Sequence, residues 1–199
     1  MPALDQPALD DQVDALLDTL PERFALAGLS LGAIVGMALC RRAPERVSRL
    51  CLISTNAKAP TGVQREGWSA WRDRLAAGET PRDLQRDILD ALLSGRAQAR
   101  NPDLVERALC MGDDTGAARL DAQLRMQATR VDELAALPNL RMPVLVVSGS
   151  GDAICPPRFH EEIVAAIPGA RLASVTAGHL APMERPQEVG RLLRSWLNV

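Results

Sequence analysis

The stretch Gly28-Leu29-Ser30-Leu31-Gly32 constrains this chain more than any other. It closes a short apolar run, Phe24 to Ala27, and opens a segment, Leu31 to Arg42, rich in Ala, Leu, Ile and Met. A strand that enters a helix through so short a turn leaves little room beside the serine, which calls for small residues at Gly28, Gly32 and Ala33. Two arginines close the helix where cations suit its dipole, and Ala43-Pro44 stops it. A second apolar strand, Val47 to Ile53, follows. Strand, helix and strand in that order need a crossover. The expectation is an α/β fold: a parallel sheet with flanking helices.

The remaining elements extend this pattern. Val13, Leu16, Leu17 and Leu20 fall on one helical face within Ala8 to Leu20, and Pro21 ends that helix. Pro143 to Ser148 and Leu172 to Thr176 are strand-like, with a helix at Pro157 to Ala166 between them and a closing helix at Pro186 to Leu197. Between about 61 and 136 there is no strand signal. Helix formers dominate there, broken by Gly78, Pro81, Gly95, Pro102, Gly112 and Gly116. Several short helices are expected, inserted into a core made of 1–60 and 137–199. Trp68 and Trp71 sit three apart on the first of them, facing inward as candidate substrate-binding residues.

Composition removes several function classes. With 199 residues, 47% of them hydrophobic, the chain can bury one sizeable core. A net charge of -2 and 3% aromatic residues, none of them tyrosine, argue against a nucleic-acid surface. No apolar run is long enough to cross a bilayer, and the acidic start "MPALDQPALDDQ" lacks the features of a signal peptide. A cytoplasmic setting is expected, with Cys40, Cys51, Cys110 and Cys155 reduced. These cysteines form no CxxC pair, so neither a metal site nor another cofactor is expected.

Three residues could carry chemistry together. Ser30 would sit at a sharp strand-to-helix turn with its Oγ projecting from the sheet, and the Leu31 N–H, at a helix N-terminus, would face a developing oxyanion. The plainer alternative is a tight turn with a bystander serine. A nucleophilic serine needs a base, and the chain has two histidines. His160, in "RFHEEI", is expected on the surface of a helix. His179, in "TAGHLAPMERP", directly follows a strand, and parallel strands share one C-terminal edge, so it would emerge on the same side as Ser30. The base needs an orienting carboxylate. Asp152, in "VVSGSGDAICPP", follows a strand to the same edge, where Gly149 and Gly151 let the loop turn tightly, although an aspartate beside glycine is often only a turn residue. Asp113 and Asp114 are the nearest competitors and fall in the helical insertion.

Ser30, Asp152 and His179, in that order on successive strand ends, resemble the α/β-hydrolase superfamily. The stretches that carry the resemblance are "ALAGLSLGAIVGMALCRRAPERVSRLCLIST", "MPVLVVSGSGDAICPP" and "AGHLAPMERPQEVGRLLRSWL". They are most similar to the esterase and enol-lactonase branch. The resemblance implies a serine hydrolase of carboxylic esters, lactones or related small acyl substrates. Ser30 would be the nucleophile, His179 the general base and acid, and Asp152 the third member. Residues 61–136 would form a lid lining the acyl pocket, and Glu184 would match the family's acidic residue after the histidine, with a role in loop structure.

The resemblance also sets up an expectation about assembly. "PALDQPALDDQVDALLDTLP" is similar only to the helix before the family's nucleophile strand, so four strands and the glycine-containing oxyanion loop have no counterpart ahead of Phe24. The fold is expected to be N-terminally shortened, either as a short version of a full hydrolase or as a minimal form completed by another subunit. Loss of one oxyanion donor typically costs about 10²–10³ in rate, which leaves a weakly active or non-catalytic binding module as the alternative function. An open edge at the first strand would expose unpaired backbone groups, so a homodimer through residues 22–28 is expected.

Overall fold

The computed structural model describes residues 2–198. Among them, four strands form one parallel sheet in the order β1-β2-β3-β4: β1 Phe24–Leu29, β2 Val47–Ile53, β3 Val144–Gly149 and β4 Arg171–Val175. Side chains alternate across the two inner strands. Leu50, Leu52, Val144 and Val146 pack on one face beneath α1 (Leu9–Thr19), α2 (Leu31–Arg42) and α9 (Pro157–Ala166). Cys51, Ile53, Leu145 and Val147 pack on the other face against α11 (Pro186–Leu197) through Val189 and Trp196. A sheet covered on both faces requires apolar residues at both parities, so residues 50–53 of β2 and 144–147 of β3 are continuously apolar.

Helix α2 is buried at every residue from Ala33 to Cys40, wedged between the sheet and α1. It approaches β1 closely: a Cβ at Gly36 would lie 2.7 Å from a Leu26 methyl. β1 is an edge strand, and among the described residues its outer side meets no strand. Ala25 and Ala27 are exposed there, whereas Phe24 and Leu26 are half-buried against the core. The apolar stretch "FALA" therefore exposes mainly its two alanines.

Between β2 and β3 the described residues form helices only: α3 Gly62–Ala76, α4 Pro81–Asp87, α5 Leu89–Leu92, α6 Gly95–Arg100, α7 Pro102–Thr115 and α8 Ala117–Ala128. Helices this short need capped ends, and the sequence supplies them. Thr61 and Thr80 build reciprocal capping boxes with Gln64 and Asp83, and Ser94 and Asn101 cap α6 and α7. Gly112 lets α7 meet α4, since a Cβ there would lie 2.9 Å from backbone atoms of Pro81 and Arg82. Leu92, Leu93, Leu104 and Ala108 pack with Leu180, and with Leu29 at the end of β1, so the insertion rests on the C-terminal edge of the sheet. The chain then returns through Leu137 and Leu140 to β3, β4, a short α10 (Ala181–Glu184) and α11.

Candidate active site

Ser30 stands where β1 becomes α2. Its backbone is left-handed, φ 51° and ψ -115°, a conformation that costs a non-glycine residue about 1–3 kcal/mol. The surroundings hold it there. Its N–H donates to Ile53 O at 2.9 Å, and its carbonyl accepts from Ala33 N, Ile34 N and the Thr55 hydroxyl. Gly28 is required by contact: a Cβ would overlap the Gly32 carbonyl and lie 2.5 Å from Ala33 N. Gly32 differs from the expectation, because a Cβ there meets nothing within 4 Å. Of the two glycines, the crowding therefore comes from Gly28. The Leu31 N–H belongs to the first turn of α2, where no intrahelical acceptor exists.

The loops after β3 and β4 meet at the same edge. Gly151 N donates to Ala177 O at 2.9 Å, and Ser150 N to Val175 O at 2.9 Å. Gly149 permits this approach, since a Cβ there would overlap Gly178 O and lie 2.8 Å from Ala177 O. Asp152 and His179 are thereby brought together, each 3% exposed. Both Asp152 oxygens face His179 Nδ1, at 3.0 and 2.9 Å. Oδ1 also accepts from Ile154 N at 2.9 Å and Cys155 N at 2.8 Å. An acceptor carboxylate on Nδ1 makes that nitrogen the donor and leaves Nε2 with a free lone pair. Among the described residues neither Nε2 nor Ser30 Oγ makes a hydrogen bond, so Ser30 shares the edge with the pair but is not bonded to it. Ligand-free catalytic hydrogen bonds are often long and tighten on substrate binding.

The structure departs from the sequence expectation at His160. His160 is not on the surface: it is 0% exposed, and its Nε2 accepts the Thr55 N–H at 3.0 Å. Burial holds its pKa below the usual 6.5. It lies on one face of α9 with Ile163, and the apolar residues at 163 and 167, three and seven places on, are the signal of its burial. Trp68 and Trp71 are half-buried on α3, and neither hydrogen-bonds to Ser30, Asp152 or His179 among the described residues. Trp68 lies against Arg130, whose guanidinium carbon is 5.4 Å from the ring centre. Glu184 fastens the histidine loop to the insertion. Its Oε1 accepts from Gly178 N at 2.9 Å and Ser94 N at 2.8 Å, and its Oε2 from Ser94 Oγ at 2.6 Å. Leu180 N donates to Leu92 O beside it.

The family model described as alpha/beta hydrolase fold matches residues 4–186. The chain belongs to the α/β-hydrolase family. Its relatives include a pimeloyl-[acyl-carrier protein] methyl ester esterase of Aromatoleum aromaticum, 32% identical over 94% of this chain and 79% of that one. Among solved structures, a thermophilic esterase from Thermogutta terrifontis superposes with a TM-score of 0.90 at 28% identity, over 96% of this chain and 72% of that one. The enol-lactonase of Burkholderia xenovorans superposes with a TM-score of 0.85 at 25% identity, over all of this chain and 75% of that one. Within this family member, no described helix is long and apolar enough to cross a membrane.

Proposed function

We propose that this chain hydrolyses carboxylic esters, including lactones, through a covalent acyl-enzyme on Ser30. The observation that carries the reading is the buried Asp152 carboxylate on His179 Nδ1, at the sheet edge where Ser30 opens α2. The esterases among the relatives support it. His179 Nε2 takes the Ser30 hydroxyl proton as Oγ bonds to the ester carbon. The carbonyl oxygen, now an anion, turns toward the Leu31 N–H. His179 returns the proton to the departing alkoxide, and the alcohol leaves. Water then attacks the acyl carbon, His179 takes its proton and passes it to Ser30 Oγ, and the carboxylic acid departs. The Asp152 oxygens on Nδ1 orient the ring and stabilise the imidazolium. No step calls for a cofactor.

Turnover of p-nitrophenyl butyrate tests the reading. The wild type should release p-nitrophenol above the buffer rate, and His179→Ala should lower kcat by about 10³-fold or more. Equal turnover by both proteins, or none by the wild type, would contradict it.

A further inference from the structure

Glu184 ends α10 and folds back, buried, toward the start of its own loop. Its carboxylate joins two segments that are far apart in sequence. Gly178 N donates to Oε1 at 2.9 Å, Ser94 N donates to Oε1 at 2.8 Å, and Ser94 Oγ donates to Oε2 at 2.6 Å. Gly178 immediately precedes His179, and Ser94 caps α6 in the insertion. The approach requires a glycine at 178: a Cβ there would lie 2.7 Å from Ser94 N and 3.0 Å from the Leu93 carbonyl carbon. On the other side of the histidine, Leu180 N donates to Leu92 O at 3.0 Å, and the two leucines share one buried cluster.

His179 is therefore bracketed. The residue before it and the residue after it are both fastened to one corner of the insertion, residues 92–94, where α5 gives way to α6. The ring moves with its backbone, and its Nδ1 meets the Asp152 oxygens at 3.0 and 2.9 Å, so a small shift of this loop would part them. A catalytic group displaced by about 1 Å can cost about 10²-fold in rate. We infer that the 92–94 corner positions His179. Ser94 acts through Glu184 on Gly178, Leu92 acts on Leu180, and together they keep Nδ1 against Asp152. Ser94 and Glu184 are positioning residues: among the described residues, neither hydrogen-bonds to Ser30, to Asp152 or to the His179 ring. The insertion then does more than rest on the edge of the sheet, because it must be seated for the histidine to hold its place. The inference rests on the esterase reading for its kinetic consequence, and on the geometry alone for the placing of the ring.

The test pairs turnover of p-nitrophenyl butyrate with an NMR spectrum of isotope-labelled histidine in mildly alkaline buffer. The chain has two histidines, so His179→Ala assigns both rings. The wild-type His179 ring should carry its proton on Nδ1. Glu184→Ala strips Gly178 N, Ser94 N and Ser94 Oγ of their acceptor. It should move His179 toward the mixed tautomers of free histidine and lower kcat by about 30-fold, with KM within about 3-fold. Glu184→Gln keeps an oxygen for the two N–H groups and offers an amide donor to the Ser94 hydroxyl. It should keep the ring signature, with kcat within about 3-fold of the wild type. Asn101→Ala removes another cap of the insertion, the bond to Leu104 N, and should lower Tm with both readouts unchanged. A wild-type ring signature or a wild-type kcat in Glu184→Ala would overturn the inference, as would the same losses in Asn101→Ala or a wild type without the Nδ1 proton. If the wild type turns over no ester, the esterase reading fails and the ring signature alone decides. If Glu184→Ala does not fold, Ser94→Ala against Asn101→Ala decides by the same outcomes.

Discussion

Ser30 and Ser54 occupy equivalent places at the ends of neighbouring parallel strands. Both are left-handed, φ 51° and 49°, and both send their N–H to the next strand: Ser30 to Ile53 O, Ser54 to Val147 O. The two chain paths diverge after these serines. Past Ser30 the chain turns at once into α2, and the residue stays half-exposed above the first turn of that helix. Past Ser54 no helix begins until α3 at Gly62, and the residue is 0% exposed with its Oγ unpartnered among the described residues. Backbone strain therefore does not distinguish a nucleophile. Access to the edge, a helix N-terminus behind the serine, and a free histidine nitrogen on the same side do.

The largest expected effect breaks the pair apart. Ser30→Ala should lower ester turnover by about 10⁴-fold or more, whereas Ser54→Ala should stay within about 3-fold of the wild type. Steady-state kinetics on purified variants of matched stability would check this, and comparable losses from both would mean that the turn geometry matters and the hydroxyl does not. A smaller effect concerns the glycines around Ser30. Gly28→Ala drives a methyl into the Gly32 carbonyl and should cost about 2–4 kcal/mol in urea unfolding. Gly32→Ala fills open space inside a helix and should be neutral or stabilise by up to about 1 kcal/mol.

The smallest effect lies behind the two serines, where the Thr55 N–H rests on His160 Nε2. Burial lowers the folded-state pKa of His160 below 6.5, so the unfolded chain takes up its proton first as pH falls. The stability tied to the neutral imidazole is complete above pH 6.5 and is lost as pH drops from there toward the lowered value. Between pH 7.5 and 5.5 the wild type should lose more unfolding free energy than His160→Gln. Parallel pH profiles of the two would assign the loss to other groups.

The strands, α2, α9 and α11 are legible in the sequence because their apolar runs are bounded by glycine and proline, and buried parallel strands leave little room for another reading. Gly28 is legible for the same local reason. Gly32 is not, because the collision depends on which way a Cβ points and not on the pattern. The polar neighbours of His160 point it to the surface, although Ile163 and Ile167 mark its face as buried. Arg130 carries no local signal. Its burial arises when α3 brings Trp68 against it from about sixty residues away, and no window of sequence contains both.

Covalent labelling with a fluorophosphonate, followed by peptide mass mapping, tests the central claim most directly. The probe reacts with a serine only when a neighbouring base takes its proton, so it reads the Ser30–His179 relationship without assuming a substrate. The wild type should gain one adduct, on the peptide containing Ser30 and not the one containing Ser54, and His179→Ala should gain none. Labelling that persists in His179→Ala, or an adduct on another residue, would contradict the claim that His179 activates Ser30.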